Sequence, residues 1–197
     1  MARPLALALL CALLPVAALA HSVEGVAGGF QSGVLHPLLG PDHLVAMVAV
    51  GLWGAQLGMP LLVALPIAFP MMMAVGGTLG VLGVPVPQVA LGVALSAFLL
   101  GFAVAAAFRA PVWLAVLIVG LFAIFHGHAH GTEIPEASSP IAYGAGFMLA
   151  TGLLHGAGIA IGLLNDWEGT GPWIVRGCGA AIALLGLWFT AGVLGVL

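Results

Sequence analysis

Long uncharged stretches divide the chain and predict its helices. No Asp, Glu, Lys or Arg occurs in residues 44–108, 110–132, 137–165 or 177–197. A membrane-spanning helix needs about 20 predominantly apolar residues, and Pro60, Pro85 and Pro87 mark breaks within the longest stretch. The pattern therefore predicts an all-α integral membrane protein with six transmembrane helices, at 33–56, 60–82, 87–108, 111–130, 141–164 and 174–196.

The first twenty residues predict a cleavable signal peptide. Arg3 precedes an apolar run over residues 5–14, and the segment ends in the small-residue sequence Ala18-Leu19-Ala20. Cleavage there leaves His21 as the mature N-terminus, where its α-amine and imidazole could bind a metal ion as a bidentate ligand. The alternative is an uncleaved anchor helix. The predicted organisation is a signal peptide at 1–20 and one six-helix transmembrane domain at 21–197.

Composition excludes most other classes of protein. Apolar residues make up 63% of the 197 residues and charged residues only 5%, whereas a soluble domain carries roughly a quarter charged residues. Three Arg, no Lys and a net charge of −3 also exclude a nucleic-acid-binding protein. With an exported N-terminus, Arg3, Arg109 and Arg176 all fall on the cytoplasmic side, as the positive-inside rule requires. This predicts a multi-pass protein of the bacterial inner membrane with a periplasmic mature N-terminus.

Small residues recur at four-residue spacing in three places. The pairs are Gly76/Gly80, Gly152/Gly156 and Gly158/Gly162. In lipid, the hydrophobic effect does not drive helices together, and small residues instead let helices pack closely against each other. All three are interpreted as helix-packing contacts.

The segment His36-Pro37-Leu38-Leu39-Gly40-Pro41-Asp42-His43 predicts a metal site at membrane depth. The apolar stretch that follows is too short to cross the membrane, so the helix must begin upstream and carry Asp42 and His43 into the bilayer. A buried Asp needs a compensating partner, and a cation is the candidate. His36 and His43 stand about 10 Å apart on a straight helix, so either two successive sites exist or the helix unwinds at Gly40-Pro41. A hydrogen-bonded structural pair is the alternative.

A second histidine cluster closes the fourth predicted span. His126 and His130 share a helical face at a spacing that can chelate one ion, His128 points elsewhere, and Glu133 adds a carboxylate. The alternative is a solvated His-rich loop.

His155 lies alone in the fifth span and is either a pathway residue or a satisfied interhelical hydrogen-bond partner. Met71-Met72-Met73 points in three directions, which favours packing over a sulfur site.

These motifs resemble the HupE/UreJ family of nickel permeases. The matching segments are His36-Pro37, Gly40, Asp42-His43, Phe69-Pro70-Met71-Met72, Gly76-Gly77, Phe125-His126-Gly127-His128-Ala129-His130-Gly131 and Glu133. The resemblance implies six helices after a cleaved signal and Ni²⁺ uptake that serves hydrogenase or urease maturation. It also implies functional roles for His36, Asp42, His43, Phe69, His130 and Glu133. One departure is Ala90, in Gln88-Val89-Ala90, where members of the family often carry a Glu.

The sequence thus predicts a permease rather than an enzyme, with Ni²⁺ as transported ion, Co²⁺ as a second candidate, and no prosthetic group. The expected route begins at His126, His128, His130 and Glu133 and continues to Asp42, His43 and His36. Phe69, His155 and His21 are further pathway candidates. Two alternatives are an intramembrane hydrolase that holds Zn²⁺ in the His/Asp cluster and a metal-sensing partner of a maturation complex. Assembly into a homo-oligomer, proton coupling and the choice between Ni²⁺ and Co²⁺ are left open, because imidazole suits several metals alike.

Overall fold

The computed structural model describes residues 26–134 and 139–197. The predicted signal peptide and His21 lie outside this part of the chain. The helices are α1 (Val26–Leu39), α2 (Pro41–Leu57), α3 (Leu61–Val81), α4 (Val89–Ala105), α5 (Val112–Thr132), α6 (Pro140–Gly162) and α7 (Gly171–Val193), with a 3₁₀ turn at Leu163–Asp166. The described residues contain no strand, so the predicted all-α class is confirmed for them.

Four of these helices are long and apolar enough to cross a membrane: α3, α5, α6 and α7. The bent pair of α1 and α2 would supply a fifth crossing if the two helices form one broken span. Helix α4 has 17 residues, which is at the short limit for a crossing. The predicted membrane-protein class therefore stands, while the predicted count of six spans exceeds the four or five counted by length and composition.

The predicted first span is broken at Gly40. Helices α1 and α2 meet there at 81°, and Gly40 itself is extended rather than helical. Its N–H donates to the carbonyl of His36, and its own carbonyl accepts from Leu44 N–H. Pro41 begins α2, where its missing N–H costs nothing. The chain thus turns sharply between His36 and His43.

Glycines bring three sets of helices into backbone contact. In α3 and α5, a Cβ on Gly76, Gly80, Gly127 or Gly131 would overlap backbone atoms of the other helix. The same holds for Gly33 and Gly51, which press α1 and α2 against α6, and for Gly101, Gly179 and Gly186 between α4 and α7. These pairings are also the most extensive helix contacts in the fold. Only backbones without side chains can approach so closely.

The three predicted glycine pairs have different outcomes. Gly76/Gly80 packs on α5 and Gly158/Gly162 packs on α2, as predicted. The prediction for Gly152/Gly156 is wrong, because a Cβ on either glycine would meet only open space. These two glycines are exposed on the outer face of α6. Spacing alone cannot tell which face of a uniformly apolar helix meets a neighbour.

The two ends of the bundle differ in charge. Arg176 donates from Nε to the carbonyl of Ala105 at 2.8 Å, which places it beside the α4–α5 connection that carries Arg109. Trp53 Nε1 donates to the carbonyl of Phe108 at the same end. Glu133 follows the opposite end of α5. Both arginines of the described residues therefore lie at one end, and Glu133 at the other, as the charge pattern predicted.

Candidate functional site

Four histidines from three helices converge near the Glu133 end of the bundle. His126 and His130 lie one turn apart on α5, and the bend at Gly40 turns His36 and His43 toward them. The His43 ring centroid lies 4.8 Å from that of His126 and 4.5 Å from that of His130. The His36 centroid lies 4.7 Å from that of His130. The two histidine motifs, whose members lie 83 to 94 residues apart in the sequence, thus form one site.

The converging side chains form two clusters that share one residue. The outer cluster is His36, His130 and Glu133, and the inner cluster is His43, His126 and His130. Within each cluster, one ligand atom per residue lies within 4.8 Å of the others. Two nitrogen atoms bound to one ion at about 2.1 Å lie at most about 4.2 Å apart. A small contraction of either cluster would therefore close it on a metal ion.

Exposure falls steadily from the outer cluster to the inner one. The side chains of Glu133 and His36 are 59% and 34% exposed, and their Oε2 and Nε2 atoms lie 3.4 Å apart. The His43 side chain is 14% exposed, and His126 is fully buried. A cation that arrives from the Glu133 end therefore meets the outer cluster first.

Asp42 orients His43 and does not join either cluster. Its Oδ1 accepts hydrogen bonds from the His43 backbone N–H at 2.9 Å and from His43 Nδ1 at 2.8 Å. An ionised carboxylate only accepts, so Nδ1 carries the proton and the lone pair lies on Nε2, which is buried without a partner. Asp42 also lies in the first turn of α2, where the helix dipole favours its charge. The predicted compensating cation is therefore unnecessary for Asp42 itself, because its neighbours already stabilise the carboxylate.

His126 is held by a residue that the sequence did not point to. Its Nε2 lies 2.8 Å from Oγ of Ser96, a fully buried residue of α4. Its Nδ1 is buried and has no hydrogen-bond partner. Ser96 could have been noticed only as one of the few polar residues within an apolar span, since no motif contains it.

His130 differs from both of these histidines, because neither ring nitrogen has a hydrogen-bond partner. Its ring packs at 4.2 Å, between centroids, against Phe147 of α6. The side chain is buried. A buried imidazole with two unpaired nitrogens is costly unless a ligand completes it. This residue is therefore the strongest single indication of a bound ion.

Phe69 and His155 continue the line of rings beyond the inner cluster. The Phe69 ring lies 5.4 Å from the His126 ring and 5.3 Å from the His155 ring, between centroids. Both ring nitrogens of His155 are buried without a partner, as is the hydroxyl of Thr151 one turn earlier on α6. A close approach to the Pro66 carbonyl of α3 keeps the interhelical contact as the alternative, so the role of His155 stays a prediction.

Some predicted site residues lie elsewhere. His128 Nε2 donates to the carbonyl of Val84 at 2.8 Å, which ties it to the α3–α4 connection and outside both clusters. The predicted set of His126, His128, His130 and Glu133 is therefore split between two clusters and a structural contact. Ala90 is exposed in the first turn of α4. Met73 is buried whereas Met71 is exposed, which matches the packing interpretation.

A cleft of about 150 Å³ reaches His130 from the side, between α3, α5 and α6. Apolar side chains dominate its lining, with Met73, Ile134 and Phe147 among them. Apart from His130 and Tyr143, the side chains of this lining offer a cation no nitrogen or oxygen ligand to replace its water. The polar approach to the clusters is therefore along His36 and Glu133.

The donor set suits a borderline divalent ion that binds reversibly. Each cluster offers imidazoles, the outer one adds a carboxylate, and no cysteine is a member. Imidazole binds Ni, Co, Zn and Cu(II), whereas soft Cu(I) prefers sulfur. The three ligands of each cluster leave coordination positions open, unlike the closed four-ligand sites of structural zinc.

Comparisons with known proteins agree with the motifs. The family described as "HupE / UreJ protein" matches residues 8–189. A curated relative named "Protein HupE", from Rhizobium leguminosarum bv. viciae, is 40% identical over 182 residues, which cover 92% of this chain and 95% of the relative. No solved structure matches the chain.

Proposed function

The chain belongs to the HupE/UreJ family, a family of membrane metal permeases, and from this premise we propose that it takes up Ni²⁺ from the periplasm through the two histidine clusters. Co²⁺ is the second candidate ion. The proposal includes a signal peptide at 1–20 and a six-span permease domain at 21–197 in the bacterial inner membrane, with a periplasmic mature N-terminus. The ion would supply hydrogenase or urease maturation.

The observation that carries the proposal is the membership of His130 in both clusters. A neutral imidazole has one lone pair on its ring nitrogens. His130 therefore serves an ion in the outer cluster or an ion in the inner cluster, but not both at once. A ligand that can bind an ion in only one of two neighbouring clusters at a time is suited to the transfer of an ion between them. A permanent metal site does not need such a shared ligand.

The gradient of exposure supports the direction of transfer. Glu133 and His36 meet a hydrated ion where water still reaches them. The ion then loses its water ligands as imidazoles of the inner cluster replace them, and the fully buried His126 replaces the last of these. Conduction requires binding strong enough to admit the ion and weak enough to release it. Sharing a ligand between successive positions meets both needs.

Beyond the inner cluster, Phe69 and His155 form the next stage of the proposed route. The Phe69 ring contacts both the His126 ring and the His155 ring, and we infer that it blocks an ion between them while it holds this place. The unpaired nitrogens of His155 offer the next ligand. Phe69 thus acts as a barrier between an outward-facing pair of clusters and a deeper single imidazole.

Neither comparison supports the intramembrane hydrolase considered from the sequence. A hydrolase needs its metal held in one place with an activated water. The shared His130 works against such a fixed position. A permease is therefore the better assignment for these side chains.

The test is accumulation of radioactive ⁶³Ni²⁺ in proteoliposomes that contain the full chain. His130→Ala removes one of three ligands from both clusters at once, so we expect uptake to fall by at least about tenfold, as losses around metal ligands do. His128→Ala is the matched control two residues away on the same helix, since its ring bonds only the Val84 carbonyl. This variant should keep most of the uptake.

Competition with unlabelled Co²⁺ in the same vesicles ranks the two ions. Failure of the unchanged protein to accumulate ⁶³Ni²⁺, with or without an imposed proton gradient, would contradict the proposed function. Equal losses for His128→Ala and His130→Ala would contradict the route through the clusters.

A further inference from the structure

The hydroxyl of Ser96 stands between α4 and α5 and contacts two groups. Its Oγ lies 2.6 Å from the carbonyl oxygen of Val93, within α4, and 2.8 Å from Nε2 of His126, on α5. Ser96 is fully buried. Water is therefore not available to satisfy whichever of these groups lacks a hydrogen.

A count of hydrogens decides the direction of both bonds. A serine hydroxyl has one hydrogen, whereas a carbonyl oxygen has none. Two oxygens 2.6 Å apart would repel each other unless a hydrogen lies between them, so the Ser96 hydrogen points at Val93. The second contact must then use a hydrogen of the histidine, and His126 donates from Nε2 to Ser96.

The direction of that bond fixes which nitrogen of His126 is available to a metal ion. A neutral imidazole with a proton on Nε2 carries its lone pair on Nδ1. Nδ1 is the buried atom without a partner, and the residue belongs to the inner cluster. In the other tautomer, lone pairs of Nε2 and Oγ would face each other, or Ser96 would have to give up its bond to Val93.

We propose that Ser96 is a positioning residue that holds His126 as the Nε2–H tautomer and thereby presents the Nδ1 lone pair to a cation in the inner cluster. Asp42 does the same for His43 with the opposite nitrogen, since its bond to Nδ1 leaves Nε2 free. Two of the three imidazoles of the inner cluster are thus preset for binding. Among these three imidazoles, only that of His130 has both nitrogens without a partner. The role of Ser96 as a tautomer lock stands on this geometry, and its importance for transport rests on the proposed function.

The chain offers a matched control for the loss of a buried hydroxyl. Thr190 of α7 donates to the carbonyl of Gly186 at 2.7 Å and is also buried. Its hydroxyl therefore makes the same kind of bond to its own helix as Ser96 does, but without a histidine. Ser96→Ala and Thr190→Ala each remove one such hydroxyl, and Thr190→Ala also removes a methyl group, so it is the stricter control for the effect of a gap.

The first measurement is ¹⁵N NMR of ring-labelled histidine in the metal-free full chain in lipid nanodiscs, with the His126 signals assigned by their absence in His126→Gln. We expect a protonated Nε2 and an unprotonated Nδ1 for His126 in the unchanged protein and in Thr190→Ala. In Ser96→Ala the lock is gone, so the spectrum should show the other tautomer or a mixture. A protonated Nδ1 in the unchanged protein, or an unaltered tautomer in Ser96→Ala, overturns the proposal.

The second measurement is Co²⁺ binding to the same samples, followed by the visible absorption of the bound ion. Loss of a residue that orients a metal-binding histidine typically weakens binding by about 10–100-fold. We expect a weakening in this range for Ser96→Ala and none for Thr190→Ala. Unchanged affinity in Ser96→Ala overturns the positioning role. Absence of Co²⁺ and Ni²⁺ binding by the unchanged protein instead contradicts the proposed function, and the metal-free spectra then decide the tautomer lock alone.

Discussion

A single methyl group at Gly127 should move α5, which carries His126 and His130 of the inner cluster, away from α3, which carries Phe69. A Cβ there would overlap the carbonyl oxygen of Met73, and it would lie 2.7 Å from the Met73 carbonyl carbon and 2.8 Å from the Gly77 nitrogen. All three obstacles are backbone atoms, so no side-chain rotation relieves the clash. Helices α3 and α5 must move apart, and His126 and His130 flank the position at which they do so.

The expected magnitude follows from two opposing terms. Overpacking of a well-packed interior costs about 1–3 kcal/mol, and the backbone obstacles favour the upper end of that range. Replacing a helical glycine with alanine returns about 1 kcal/mol of helix propensity. The free energy of unfolding should therefore fall by about 2 kcal/mol in Gly127→Ala, which corresponds to a decrease of about 4–8 °C in the melting temperature of a chain of this size.

Gly156→Ala is the matched control on α6. A Cβ there meets nothing within 4 Å, so only the propensity gain applies and the melting temperature should rise by about 2–4 °C. Thermal unfolding of both variants in detergent, with Co²⁺ titration of the folded protein, provides the two readouts. Gly127→Ala should also bind Co²⁺ more weakly. If Gly127→Ala melts at or above the temperature of Gly156→Ala and binds Co²⁺ normally, the backbone contact between α3 and α5 does not exist.

Three further variants test other parts of the site and fold. Asp42→Asn removes the charge that orients His43, so Co²⁺ affinity should fall by about 10–100-fold, and complete loss of binding at millimolar Co²⁺ would instead mark Asp42 as a ligand. His155→Ala should leave Co²⁺ affinity unchanged and reduce ⁶³Ni²⁺ uptake at least about tenfold, because His155 lies beyond Phe69 from the clusters. An equal loss of binding and uptake would argue against that order. Trp53→Phe removes the hydrogen bond to the Phe108 carbonyl and leaves a gap at a fully buried position, so the free energy of unfolding should fall by at least about 1 kcal/mol with Co²⁺ binding intact, as thermal unfolding and titration would show.

Local chemistry made part of the site predictable. Gly40-Pro41 breaks the helix because proline lacks an N–H and glycine lacks a Cβ, and both properties belong to the residues themselves. The four-residue spacing of His126 and His130 placed them on one face of α5 for the same reason. These inferences needed no knowledge of neighbouring helices, and the structure agrees with them.

Contacts between distant segments were not predictable in the same way. The sequence grouped His128 with its neighbours, but the α3–α4 connection binds it instead. It left open whether His36 and His43 belong to two successive sites or whether the helix unwinds between them, and the structure has both a bend and two clusters. Ser96 belongs to no motif and stands out in the sequence only as a polar residue within an apolar span, because its role depends on which residue of α5 lies opposite. In a chain this apolar, polarity no longer distinguishes buried faces from lipid-facing ones, so helix pairing had to come from the structure.

The glycine contacts also constrain how the protein can move. They join α3 to α5, α4 to α7, and both α1 and α2 to α6, at distances that leave no room for sliding within each set. The metal-binding groups come from different sets, since His36 and His43 belong to the third and His126 and His130 to the first. Ser96, which orients one of them, belongs to the second. The sets also contact one another, for example where Gly92 of α4 packs on the Phe125 ring of α5. A rotation of a few degrees between the sets would change the distances within both clusters while every helix stays intact.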